Sequence, residues 1–136
     1  MLEKSVIEAL IDTALAQRNY AYAPYSDFRV GAALLTEDGA VYTGCNIENG
    51  AYSPTNCAER TAVFKAVSEG ERAFRAICIA GGKGAEEPSK FCPPCGVCRQ
   101  VLLEFCRPEF EVILAVSREQ YEIYTLGELA PMGFQL

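Results

Sequence analysis

The chain has 136 residues, 50% of them hydrophobic and 22% charged, which is enough for one core and too few to expect two. Its net charge of -6 argues against a partner held through phosphate contacts. Seven cysteines and no histidine exclude Ser-His-Asp and Cys-His catalysis and any imidazole metal ligand, so acid–base work falls to Glu, Asp, Lys, Tyr or Cys. In chain order, residues 5–20 place Val6, Ile7, Leu10, Ile11, Ala14 and Leu15 on one helical stripe, and Ala23-Pro24-Tyr25-Ser26 ends it. Residues 28–35 and 41–47 read as strands joined by Asp38-Gly39, a hairpin signal. After the loop 48–55, a helix is predicted over 57–69, with Asn56 as N-cap, Glu59 three residues later and Gly70 at the stop. Residues 75–80 form a buried strand, and a Gly-rich, charged loop over 81–90 leads to Pro93-Pro94. A second short helix follows over 96–105, ending before Pro108. Residues 110–116 and 121–126 are two more strands, with a short helical turn near the end.

This order implies an α/β fold: one domain over 1–136 with a mixed five-stranded sheet covered by helices on both faces. The apolar stretches 31–35 and 112–116 fall well short of a membrane span, and the N-terminus lacks a secretory pattern, so the expected location is cytoplasmic. The odd cysteine count disfavours a disulfide framework and leaves metal binding, catalysis or burial.

The sharpest local signal is Pro94-Cys95-Gly96-Val97-Cys98 at a helix start. Alone, this C-x-x-C fits a redox pair, half of a zinc ribbon, or two unrelated thiols. Cys57-Ala58-Glu59 at the start of the other long helix adds a third thiol. Helix N-termini favour the thiolates that zinc requires. Three thiolate ligands, Cys57, Cys95 and Cys98, leave the fourth tetrahedral position open, the pattern of a catalytic zinc. Such a site carries net negative charge, which Arg60 is placed to offset. Glu59, two positions after a ligand, can shuttle protons without occupying the metal.

At these residues the chain resembles the small, homotetrameric type of cytidine deaminase over nearly its whole length. The resemblance rests on Cys57-Ala58-Glu59-Arg60-Thr61-Ala62 followed by Pro94-Cys95-Gly96-Val97-Cys98-Arg99-Gln100. It extends to Tyr22-Ala23-Pro24-Tyr25-Ser26-x-Phe28-x-Val30-Gly31 and to Gly44-Cys45-Asn46-Ile47-Glu48-Asn49. It implies a three-layer deaminase fold, a Zn2+ ion in each chain held by Cys57, Cys95 and Cys98, and Glu59 as general acid and base. The implied reaction is hydrolytic deamination of free cytidine and deoxycytidine to uridine and deoxyuridine with release of ammonia, a step of pyrimidine salvage. By the same resemblance Asn46 and Glu48 bind the ribose hydroxyls, Phe28 lines the base pocket, the Ala58 backbone contacts the pyrimidine, and Arg60 offsets thiolate charge. The segment 129–134 is similar to the family's closing segment, so Phe134 would pack over the base of a neighbouring subunit, with Tyr52 at the subunit boundary. The implied partners are a nucleoside and further copies of the chain in a homotetramer, with no nucleic acid and no membrane. Pro54-Thr55 and the extra Cys92 depart from the family pattern.

Other readings stand beside this one. Cys92, Cys95 and Cys98 with Cys106 or Cys57 would form a four-cysteine iron–sulfur or structural zinc module, which leaves Glu59 without a role. A deaminase of this size could act on a base in nucleic acid or on a nucleoside antibiotic. Glu59 could serve as a capping carboxylate, Asn46 and Glu48 as turn residues, and Phe28 and Phe134 as core or interface aromatics. Cys45, Cys78 and Cys106 lie in apolar patterns and are expected in the core.

Overall fold

Residues three, four and seven apart on the first helix are the ones that disappear from solvent. Helix α1 (Lys4–Gln17) buries Ile7, Leu10, Ile11 and Ala14, the spacing of one helical face. The computed structural model describes residues 1–136. A 3-10 turn (Arg18–Tyr20) ends α1, then come strands β1 (Phe28–Thr36) and β2 (Val41–Cys45), helix α2 (Ala58–Ser68) and strand β3 (Phe74–Lys83). Helix α3 (Gly96–Phe105), strands β4 (Glu111–Ala115) and β5 (Tyr121–Thr125), and the short helix α4 (Leu126–Leu129) complete the chain.

The strands form one mixed sheet in the order β2-β1-β3-β4-β5. β1 runs antiparallel to both β2 and β3, β3 and β4 are parallel across the α3 crossover, and β5 returns antiparallel. Side chains alternate strictly across this sheet, so it carries a core on each face. On one face Ala32, Leu34, Ile77, Ile79, Val112 and Leu114 pack with α2 and α3. On the other, Ala33, Leu35, Cys78, Ala80, Ile113 and Ala115 pack with α1. The result is the three-layer α/β arrangement expected from the sequence. No helix is long and apolar enough to cross a membrane.

Close approach of helix to sheet decides where α2 begins. A Cβ on Gly44 of β2 would lie 2.2 Å from the Ala58 carbonyl oxygen and 2.6 Å from the Ala62 nitrogen. Only a hydrogen at that position lets the first turn of α2 rest directly on the strand. Thr61 adds a lock, its single hydroxyl proton shared between the Cys45 and Cys57 carbonyls at 3.0 and 3.2 Å.

Two local expectations are corrected. Cys57, not Asn56, is the N-cap of α2, with extended φ -77 and ψ 157. Asn56 is drawn away because its backbone pairs with Ile47 in both directions at 2.9 Å, and its amide donates to Thr61 Oγ1 at 3.2 Å. Residues 81–83 are strand rather than loop, since Gly81, Gly82 and Lys83 continue the ladder opposite Val30, Arg29 and Phe28. Their glycine-rich composition reads as a turn, yet Phe28, Cys92 and Arg18 cover them in the fold.

Candidate active site

Both longer helices of the α2/α3 layer start at a cysteine. Cys57 is the N-cap of α2 and Cys95 the N-cap of α3, and neither side chain makes a capping hydrogen bond. The free first-turn N–H groups and the positive ends of two helix dipoles therefore lie beside the sulfurs. Cys98 sits in the first turn of α3, fully buried. Cys57 Sγ is 3.8 Å from Cys95 Sγ, and Cys95 Sγ is 3.6 Å from Cys98 Sγ. All three sulfurs fall within 4.8 Å of one another.

These distances test the fit to a metal. Zinc–sulfur bonds of about 2.3 Å at tetrahedral angles put sulfurs about 3.8 Å apart. The spacing in this chain matches, so the three thiols could hold a zinc ion with little movement. Cys92 and Cys106 lie outside the cluster, which removes the four-cysteine reading. Cys78 and Cys106 are buried among apolar side chains, as expected.

The electrostatics favour thiolate at Cys57. The Cys57 thiol is pulled down to about 5, first by the hydrogen bond from Cys98 and then by Arg60 and Cys95. Arg60 Nη2 donates to Cys57 Sγ at 3.3 Å. Cys98 is pushed up because it keeps the proton it shares with Cys57, and burial adds to this. Glu59, only 4% exposed in the first turn of α2, is raised to about 7 chiefly by burial, with the Cys57 charge adding and Arg60 opposing. A carboxyl poised there can both take up and release a proton near neutral pH.

The other expected residues fall into separate groups. Ala58 is buried at the head of α2, next to the cluster. Phe28 opens β1 at 40% exposure, and its carbonyl accepts from Asn46 Nδ2 at 2.8 Å. Asn46 Oδ1 accepts from the Val30 N–H at 2.9 Å, so this amide ties the end of β2 to the start of β1. Glu48 accepts from the Tyr25 and Ser26 N–H groups at 2.9 and 3.2 Å and from the Ser26 hydroxyl. These bonds, the hydroxyl foremost, hold its carboxyl below the usual carboxylate range. A cleft of ≈ 420 Å³ lies here, lined by Tyr25, Ser26, Glu48, Asn49, Tyr52 and Thr55. Tyr52 at 93% and Phe134 at 65% exposure point away from the core, and the Phe134 carbonyl accepts from Gln100 Nε2 at 2.9 Å.

Two supporting residues escaped the sequence reading. Ser26 joins Glu48 to Phe28, whose N–H donates to its hydroxyl at 3.0 Å. Thr61 locks the cysteine-bearing first turn of α2. The only signal for either is a small hydroxyl residue inside a longer motif.

Comparison with known proteins decides the family. The family model of the cytidine and deoxycytidylate deaminase zinc-binding region matches residues 4–114. A cytidine deaminase of Sporosarcina psychrophila is 51% identical over 128 residues, 94% of this chain and 90% of that protein. The chain belongs to the cytidine deaminase family. A second family member, the cytidine deaminase of Halalkalibacterium halodurans, is 46% identical over 93% of this chain and 92% of its own. The 1.6 Å crystal structure of cytidine deaminase from Burkholderia pseudomallei shares the fold, with a TM-score of 0.84 and 47% identity. It covers 93% of this chain and 97% of that one. Membership makes the chain an enzyme of the deaminase class with a zinc-binding domain, and its mixed sheet with helices is the family's fold.

Proposed function

We propose that this chain, as one deaminase domain over 1–136, converts free cytidine and deoxycytidine to uridine and deoxyuridine with release of ammonia. The observation that carries the reading is the convergence of three cysteine sulfurs within 4.8 Å at two helix starts, with a buried Glu59 in the adjoining turn. Cys57, Cys95 and Cys98 would hold one zinc ion in each chain. When bound, zinc supplies a Lewis acid that acidifies water at neutral pH. Arg60 and the two helix dipoles offset the excess negative charge of three thiolates on a divalent ion. Glu59 takes a proton from the attacking water, hands it to the ring nitrogen next to C4, and then delivers the second proton to the departing amine. Burial keeps bulk water from competing for these transfers. Phe28 walls the base pocket, and the Ala58 backbone reads the edge of the pyrimidine.

Hydrogen-bond valence supports a nucleoside with either sugar. Asn46 Nδ2 has one N–H left after bonding Phe28, and Glu48 has acceptor capacity left after receiving its three bonds. One hydroxyl can use both, accepting from Asn46 and donating to Glu48, so a second hydroxyl on the sugar is not required. The acidic chain, at net -6, disfavours a polynucleotide substrate. We assign the enzyme to pyrimidine salvage in the cytoplasm as a homotetramer, with exposed Tyr52 and Phe134 at subunit boundaries and Phe134 closing a neighbour's site.

The test is the fall in ultraviolet absorbance on mixing zinc-verified protein with cytidine, ammonia being recorded from the same sample. Conversion with stoichiometric ammonia is expected, and deoxycytidine should turn over at a comparable rate. No conversion by a zinc-loaded sample would overturn the reaction; a large preference for one sugar would overturn the single-hydroxyl account.

A further inference from the structure

The three candidate ligands are not equally supported by packing. Cys98 is buried and Cys57 half-buried, but Cys95 is exposed, as are its neighbours Gly96 and Val97. Packing therefore constrains Cys95 less than it does the other two. Arg99 contributes what packing does not. Its Nε donates to the Pro94 carbonyl at 2.7 Å, and its Nη1 donates to the Leu129 carbonyl at the end of α4.

Pro94 and Arg99 bracket the turn Cys95-Gly96-Val97-Cys98, so the first contact closes a ring around both thiols. Pro94 is itself fully buried, which anchors one end of the ring. The second contact ties the ring to α4, whose own position is well determined. Thr125 Oγ1 accepts from the Glu128 N–H at 3.2 Å while Glu128 Oε1 accepts from the Thr125 N–H at 2.8 Å, a complete capping box. Leu126 is buried, and its N–H donates to the Phe110 carbonyl at 2.8 Å. The planar guanidinium suits this task, because Nε and Nη1 are separate donors at fixed angles that reach two separated carbonyls, whereas an ammonium presents all its donors from one atom on a flexible stem.

We propose that Arg99 is a positioning residue that clips the Cys95–Cys98 turn between Pro94 and α4, so that the C-terminal helix sets how tightly the metal is held. This rests on Cys95 and Cys98 being zinc ligands. Groups that orient metal ligands typically change affinity by about 10- to 100-fold when removed.

The experiment follows zinc transfer from the loaded protein to a chromogenic chelator. Arg99→Met should release zinc about tenfold faster or more. Arg99→Lys, which keeps the charge and loses the two-way span, should release it nearly as fast as Arg99→Met. Glu128→Ala, which opens the capping box, should speed release in the otherwise unaltered protein and add little in the Arg99→Met background. Ile7→Val, on the far face of the sheet, should lower Tm without changing the release rate. Release by Arg99→Met within about twofold of the unaltered rate overturns the proposal. So does restoration by Arg99→Lys, an equal effect of Glu128→Ala in both backgrounds, or acceleration by Ile7→Val matching that of Arg99→Met. If Arg99→Met does not fold, Arg99→Lys with and without Glu128→Ala carries the same comparison. A Cys95→Ala protein that holds zinc as tightly as the unaltered chain would instead reject the ligand assignment, whatever Arg99 does.

Discussion

The starts of α2 and α3 present cysteines to the same cluster, yet they are held in opposite ways. The α2 start is seated against the sheet: Gly44 lets the helix backbone touch β2, Thr61 bonds two carbonyls beneath it, and Ala58 and Glu59 are buried. The α3 start is open at Cys95, Gly96 and Val97, between buried Pro94 and Cys98, and its exposed part is bridged by one side chain reaching two carbonyls. A buried turn is fixed by volume, so errors there are costly and local. An exposed turn is fixed by a few directed bonds, so the rest of the molecule can tune it. The division suits the proposed chemistry, since a proton carrier at Glu59 would sit where solvent is excluded.

Breaking the α2 start should give the largest effects. Glu59→Gln removes the proposed proton carrier and keeps the shape, so turnover of cytidine should fall by about 10³-fold or more while zinc content stays unchanged. Full activity in that variant would end the assignment. Gly44→Ala should destabilise by about 3 kcal/mol, read from urea unfolding, because the new methyl meets helix backbone that cannot swing aside. The matching change at the open start, Gly96→Ala, should stay within about 0.5 kcal/mol, since a Cβ there meets nothing within 4 Å. Equal losses at the two glycines would erase the contrast. Thr61→Val, which strips the hydroxyl beneath α2 at constant shape, should cost about 1–2 kcal/mol by the same measurement.

The smallest effect at neutral pH concerns the layer far from both helix starts. Burial raises the Cys78 thiol from 9.0 to about 12. The unfolded chain therefore sheds this proton first as pH rises. The stability contributed by the neutral buried thiol is complete below pH 9.0 and is lost progressively up to about pH 12. Above pH 9, Cys78→Ala should show a shallower decline in unfolding free energy than the unaltered chain, by about 1.4 kcal/mol per pH unit. Parallel slopes would mean that the thiol ionises without unfolding.

Much of the molecule is legible in its residues. The stripe Ile7, Leu10, Ile11 and Ala14 predicts α1, and it is the buried face. Asp38-Gly39 between apolar runs predicts the hairpin, and β1 and β2 pair across it. The cysteine spacing predicts a three-sulfur site beside an acid, and the sulfurs converge with Glu59 buried in the adjoining turn. In each case the signal is a period or a residue type whose chemistry has few alternatives.

What only the tertiary structure decided are contacts to backbone atoms. Asn56 reads as the cap of α2, but pairing with Ile47 claims it and Cys57 takes the place. Gly81 and Gly82 read as loop, but an antiparallel partner makes them strand. Thr61, Ser26 and Arg99 give no sign in sequence of what they hold. Thr61 and Arg99 hold carbonyl groups, which every residue carries and no sequence marks, and Ser26 joins Glu48 to a backbone N–H. Periodicity determined the layers of this protein, and residue type and motif spacing marked the three cysteines that converge. Which main-chain oxygens and N–H groups come within 3 Å of a given side chain was set only when the layers packed.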